Sequence, residues 1–355
     1  MVLGALAMAR VIEYSDSDEL RWRDFVENCP TANIAHLPGW RNVIESGLGH
    51  KPRYFCAVDG DRIVGVLPLF LIKTWTLSRY LVSIPWIDYG GICADNLEAE
   101  QLLISKAREI AKTDRAKYIE LRSVDINSSL VDTPNLFLRR DKVSFILDLN
   151  DDPDLVMKKF NGKLRNQIRK AQKSGLITEF AGVEKLADFY RIFAWRMRAL
   201  GTPVWGVKFF EAILKTYSST ARLALVRKDD KFIAAALVLS FKNQLYVPSA
   251  ASYTEYLRYC PNQALYWDII KNGCEQGYRY FDFGRSTWNS PTFNFKKQWV
   301  PTPLQLTWQY YLNTAKTPPD VENGKKKYAP LMAIWRKLPL PVANLLGPKV
   351  VKNFP

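Results

Sequence analysis

Histidine is nearly missing from this chain: only His36 and His50 occur in 355 residues. The five cysteines (Cys29, Cys56, Cys93, Cys260, Cys274) are scattered and form no Cys-x-x-Cys pair. The clustered ligands of a structural or catalytic zinc site are therefore lacking. Scattered cysteines in a chain of this size read as buried thiols in a reducing compartment, so a cytoplasmic protein is expected. No apolar run reaches the roughly 18 residues that a bilayer-crossing helix needs. The opening MVLGALAMARVIEY has too short an apolar stretch, and no basic start, for a secretory signal. No Gly-x-Gly-x-x-Gly follows a strand and no P-loop occurs, which argues against dinucleotide and nucleoside triphosphate chemistry.

What is present is a globular composition with an uneven charge. Apolar residues make up 48% and charged residues 24%, enough for a sizeable core. Lys and Arg number 18 against 20 acidic residues over 1–149, but 32 against 15 over the remainder. Segregation of that kind suits a second half that meets a polyanion, an anionic membrane or a phosphorylated substrate; a basic surface that only keeps the chain soluble is the other reading.

The pattern of elements runs twice. In the first half, a strand at 11–14 precedes helices at 19–27 and 40–46. A hairpin 54–58/63–70 turns at Asp59-Gly60-Asp61, and a strand at 81–87, a helix at 97–112 and strands at 118–124 and 143–149 follow. In the second half, one long helix over 153–174 and a strand at 177–180 precede helices at 186–200 and 209–217. A hairpin 222–227/232–240, a strand at 244–249, a helix at 262–276 and strands at 280–283 and 304–311 complete it. The order of elements implies a duplicated α+β (mixed α/β) architecture. Boundaries are expected at 1–150 and 151–318, with a basic, apolar tail over 319–355.

Several segments carry chemistry. Residues 279–283 read as a short strand that stops at Gly284 and delivers Asp282, Arg285 and, after the turn, Phe295 and Lys296 to one edge. Transfer of an acyl group to an amine needs a proton taken from the amine and positive charge for the oxyanion. Asp282 could supply the first, or pair with Arg285; Lys296 could supply the second, or be a surface lysine. The stretch 157–174 carries seven cations, Arg165 and Arg169 among them, and no acid, which suits phosphates or else a solvated face. The turn Pro85-Trp86-Ile87-Asp88-Tyr89-Gly90-Gly91 offers Asp88 either as a turn cap or as the acceptor of an amine hydrogen bond, with Tyr89 walling the pocket. Trp205 follows Gly201-Thr202-Pro203, a helix stop that also suits a cleft wall. His36, just before a helix, reads better as a cap than as a proton carrier.

FDFGRS (281–286) and FKKQW (295–299) resemble the closing motifs of the FemAB-like and CelD-like transferases built on the GNAT fold. Ile168-Arg169-Lys170-Ala171, the Asp88-Tyr89 turn and Leu200-Gly201-Thr202-Pro203 are similar to further family segments, and the likeness reaches from about Trp22 to the tail. The nearest likeness is to FemAB-like proteins of bacterial exopolysaccharide (PEP-CTERM) systems. The resemblance implies two tandem GNAT-like domains, each a mostly antiparallel mixed sheet flanked by helices. It also implies transfer of an aminoacyl or acyl group to an amino group of a cell-envelope, peptidoglycan or polysaccharide precursor. Lys296 matches the lysine that this family links to catalysis, while Val300 stands where the family signature has glycine.

No tightly bound cofactor is implied; the donor would be aminoacyl-tRNA or acyl-CoA. Pro261-Asn262-Gln263 replaces the glycine-rich pyrophosphate loop, which counts against acyl-CoA. An acyl-CoA-dependent N-acyltransferase and a non-catalytic binding protein for polysaccharide or tRNA are the alternatives. The tail 325–355 reads either as packing against the fold or as a peripheral contact with the anionic inner face of the cytoplasmic membrane, through Trp335 and Leu338.

Overall fold

The computed structural model describes residues 9–124, 134–319 and 321–354; the reading of the first eight residues lies outside them. The chain folds as two compact units, one of Met1–Arg140, Leu306–Pro319 and Asn353–Pro355, the other of Asp141–Gln305 and Asp320–Lys352.

The first unit holds β1 (Arg10–Glu13), α1 (Glu19–Asn28), α2 (Trp40–Leu48), β2 (Lys51–Asp59), β3 (Arg62–Lys73), β4 (Arg79–Val82), β5 (Cys93–Ala94), α3 (Leu97–Thr113) and β6 (Tyr118–Ser123). The β2–β3 hairpin closes with Asp59 opposite Arg62 and Gly60 at φ 59°, as its turn sequence predicts. Asn96 caps α3 by accepting from Ala99 N at 2.9 Å. Ala99, Leu103, Ala107 and Ala111 recur at four-residue spacing and turn one face of α3 onto Phe55, Leu67 and Leu69. A Cβ at Gly65 would meet Leu103 at 3.0 Å, so glycine sets how closely α3 lies on β3.

The second unit takes up β7 (Leu136–Asp148) from Asp141 on. It continues through α4 (Pro153–Lys159), α5 (Gly162–Lys173), β8 (Ile177–Ala181), α6 (Leu186–Leu200), α7 (Val207–Thr216), β9 (Ala221–Lys228), β10 (Lys231–Phe241) and β11 (Gln244–Ser252). Then come α8 (Pro261–Glu275), β12 (Tyr280–Asp282), β13 (Ser286–Thr287) and α9 (Pro291–Lys297). The strand β14 (Thr302–Leu312) follows and belongs to the first unit from Leu306 on, while α10 (Val321–Lys337) and α11 (Leu340–Val351) return to the second. Strand β10 is buried from Ile233 to Ser240, with α6 and α8 both packed on it.

Within each unit the strands follow the same plan. Their orders are β1-β2-β3-β4-β6-β14 and β8-β9-β10-β11-β12-β7. In each the pair before the last strand, β4–β6 or β11–β12, is parallel, and the other neighbours pair antiparallel. This is the mixed, mostly antiparallel sheet flanked by helices that the duplicated pattern implies.

Two local expectations change. The helix expected over 153–174 is broken: Phe160 leaves helical geometry at ψ 148°, buries its ring against Trp267 and Trp299, and Asn161 caps a new helix by accepting from Leu164 N at 2.9 Å. The strand expected over 81–87 stops at Val82. There the Ser83 hydroxyl accepts from Arg122 N at 3.0 Å, displacing the ladder, and Pro85 has no N–H to continue it. The tail forms α10 and α11 on the second unit, tied by Arg198 Nη1 to Leu338 O at 3.0 Å. No helix among the described residues is long and apolar enough to cross a membrane.

Candidate functional site

In the second unit the parallel ladder runs through Gln244–Tyr280, Leu245–Phe281 and Tyr246–Asp282 and stops there. Strand β11 continues to Ser252, while β12 ends and the chain turns at Gly284, φ 72°. Beyond Asp282 the chain leaves β11, and Phe283 N donates instead to Phe145 O at 3.0 Å.

Asp282 sits at that point with no exposed surface. Its Oδ1 accepts from Ser144 Oγ at 2.6 Å and from Gly284 N at 2.8 Å, and its Oδ2 from Gln244 Nε2 at 3.2 Å. A buried carboxylate needs such donors to offset its lost hydration. Strand alternation puts Phe281 on the other face, where its ring meets Tyr266 and Phe283.

Lys296 reaches the same turn from α9, whose start is capped by Ser290 Oγ accepting from Phe293 N at 3.2 Å. Phe293 anchors the helix against Phe145 and Trp288, and Trp299 is fully buried among Phe160, Phe283 and Tyr266. So held, Lys296 is 7% exposed, and its ammonium donates to the carbonyl oxygens of Gly284 (2.7 Å) and Arg285 (2.9 Å). It is not a surface lysine. Burial pushes the Tyr266 phenol well above its usual range, so this aromatic wall stays neutral.

Of the residues singled out in the sequence, Asp282, Arg285 and Lys296 therefore meet around Gly284, with Arg285 exposed, while Phe295 lies in the aromatic wall with its ring 5.3 Å from that of Tyr266. Arg165 and Arg169 lie on α5, which packs on α8; Gln167 and Gln263 touch at 3.4 Å, beside the start of α8. Leu164, Ile168 and Ala171 form the buried stripe of α5, and Lys163, Arg169, Lys170 and Lys173 are exposed. Trp205 stands elsewhere in the unit, its ring tilted against that of Phe209 with centroids 5.8 Å apart and its carbonyl accepting from Tyr190 Oη at 3.0 Å.

Asp88 and Tyr89 belong to the first unit and are 6% and 4% exposed. Their turn is wrapped on Arg122, whose Nη1 donates to Ile87 O at 2.8 Å and Ile84 O at 3.3 Å, and whose Nε pairs with Glu120 at 2.8 Å. The Arg122 guanidinium also lies over the Trp308 ring, 4.6 Å from its centroid. Sequence reasoning missed Ser144, Gln244, Glu120 and Arg122. Polar residues inside otherwise apolar strands were the available signal. His36 accepts from Asn33 N at 3.1 Å through Nδ1, within a capping box.

Residues 158–297 match the model of an acetyltransferase (GNAT) domain. No curated protein matches the chain. Among solved structures, FemX is similar at a TM-score of 0.67 and 16% identity, over 91% of this chain and 100% of that one. A C-terminal domain (DUF2156) from Agrobacterium fabrum, described as that of a lysylphosphatidylglycerol synthetase, is similar at 0.58 and 14%, over 94% and 96%. A tandem GNAT protein from the clavulanic acid biosynthesis pathway is similar at 0.56 and 11%, over 88% and 100%. At these identities the likeness is one of fold: two GNAT-like units in tandem. The domain match supports, as a class, an acyl-group transferase.

Proposed function

We propose that the protein transfers an aminoacyl or acyl group to an amino group of a cell-envelope or polysaccharide precursor. The observation that carries this reading is the convergence of Asp282 and Lys296 on the Gly284 turn, where β11 and β12 separate inside the matched domain.

The chemistry follows from how the turn is held. A trans peptide sets N–H opposite to C=O. Two carbonyls drawn to one ammonium therefore aim the N–H groups of Arg285 and Ser286 away from it, and the charge polarises both peptides. Lys296 thus acts on a developing oxyanion through the turn, as a positioning residue. Asp282 fixes the other end of the turn through Gly284 N and holds the Ser144 hydroxyl, giving a rigid frame for the proton leaving the amine. Parted strands present amide groups with which an extended donor arm could pair. The exposed cations of α5, with Arg165 and Arg169, suit phosphates of the donor, and those of tRNA in particular.

Acyl-CoA is the second donor, favoured by the acetyltransferase match; against it stands the start of α8, where Cys260 (φ 59°) and Pro261 take the place of a glycine-rich loop. Filter binding and thermal shift with charged tRNA, uncharged tRNA and several acyl-CoAs separate the two. Salt-sensitive preference for charged tRNA supports aminoacyl transfer. Stabilisation by an acyl-CoA with tRNA inert reassigns the donor.

A further inference from the structure

Helices α10 and α11 both pack on α6. A Cβ at Gly201 would lie 2.7 Å from Met332 O, and one at Gly347 would lie 2.9 Å from the Val204 backbone, so both helices sit in backbone contact with the segment around the end of α6. Ala343, Gly347 and Val351, spaced by four, form the buried face of α11. Leu345, two residues from both Ala343 and Gly347, falls opposite that face and is 66% exposed. On α10, Leu331 and Ile334 are each 60% exposed, and Val342 and Leu346 add to the apolar surface of α11. Isolated exposed apolar side chains need no explanation, but five on two consecutive helices do.

The charge around them selects the occupant. Residues 325–355 contain Lys325, Lys326, Lys327, Arg336, Lys337, Lys349 and Lys352 and no acidic residue. Of these, Arg336, Lys337, Lys349 and Lys352 are exposed on the same two helices as the apolar residues. A second copy of this chain would bring two such cationic faces together, and a nucleic acid would satisfy the cations while leaving the leucines in water. An anionic lipid surface satisfies both at once, taking the apolar side chains below its headgroups and the cations among them.

We propose that α10 and α11 dock the protein peripherally on an anionic bilayer through Leu331, Ile334 and Leu345. Trp335 and Leu338, the anchors expected from sequence, are partly covered by the fold instead. The surface is independent of the transfer chemistry and of the donor. It would hold the second unit at the membrane, where an envelope precursor carried on lipid is found.

The test is flotation of the full-length protein with phosphatidylcholine vesicles and with vesicles containing phosphatidylglycerol, at low and high salt. Partition at least about tenfold stronger on the anionic vesicles, weakened by salt, is expected. The variant L331D/I334D/L345D, altered only at exposed positions, should lose about tenfold or more of that partition while keeping its melting temperature and donor binding. Equal partition on both vesicles, an unaffected triple variant, or concentration-dependent dimerisation that the same substitutions abolish would each overturn the proposal.

Discussion

Glu120 and Asp282 hold the same position in their two units: each is the last residue paired across a parallel ladder, opposite Val82 and Tyr246 respectively. Both carboxylates are buried, at 3% and 0% exposure, but their partners differ. Glu120 faces the Arg122 guanidinium, whereas Asp282 is held by a hydroxyl, an amide and a backbone N–H. The duplicated fold thus carries an ion pair that shapes a turn in one unit and a carboxylate that accepts from Ser144, Gln244 and the Gly284 N–H in the other.

The ion pair should be costly to break. Arg122→Ala leaves Glu120 buried and unpaired and frees the Ile84 and Ile87 carbonyls that organise the Asp88–Tyr89 turn. A loss of about 3–5 kcal/mol in urea unfolding is expected, and a smaller loss for the double change E120Q/R122M.

Val300 occupies the left-handed region at φ 56°, which a β-branched residue adopts at a cost, and its side chain is exposed. The backbone is that of a glycine position with a valine in it. Val300→Gly should raise stability by about 0.5–1 kcal/mol, strain relief outweighing the added chain entropy, whereas Val300→Ile gains nothing. Thermal melts of the two variants compare them directly.

Asp268 of α8 has its carboxyl pushed above the ordinary 3.8 by burial, despite accepting from the Thr178 hydroxyl. An acid whose folded value is raised binds more protons folded than unfolded, so stability falls as pH climbs from 3.8 through the folded value. Asp268→Asn should flatten that slope and be relatively more stable at neutral than at acid pH. A parallel pH profile for both proteins would contradict the assignment.

Cys29 and Cys93 are both buried with their Sγ atoms 3.3 Å apart, although 64 residues separate them in sequence. Brief treatment with diamide should convert these two thiols to a disulfide, reducing it to the hydrazine. Three alkylatable cysteines of the original five should remain under denaturing conditions. Retention of all five after mild unfolding and refolding in the oxidant would contradict the proximity.

Much of the fold is written locally. Helix α6 spans Leu186–Leu200, the range its periodicity predicts, because Gly201 (φ 77°) ends it. The hairpins follow their turn residues in the same way. What local pattern does not carry is choice of partner. That β7 completes the strand order of the second unit and β14 that of the first depends on pairings far apart in sequence. The break at Phe160 was hidden because lysines, asparagine and glycine around it all tolerate a helix; the pull comes from Trp267 and Trp299 in distant elements. Asp282 and Lys296 were legible as polar groups at a strand end and in a following helix. Ser144 and Gln244 were not, since only the sheet register brings them to the carboxylate.

The most direct measurement of the central claim is turnover by wild type, Lys296→Ala and Lys296→Arg, with the donor that binds and an amine-bearing envelope precursor as acceptor. Donor affinity is measured alongside. The account predicts transfer by wild type, a loss of about 10²-fold or more in kcat for alanine with donor Kd nearly unchanged, and partial recovery with arginine, which can still hold the two carbonyls. Transfer at the wild-type rate by Lys296→Ala, folded to the same melting temperature, would contradict it.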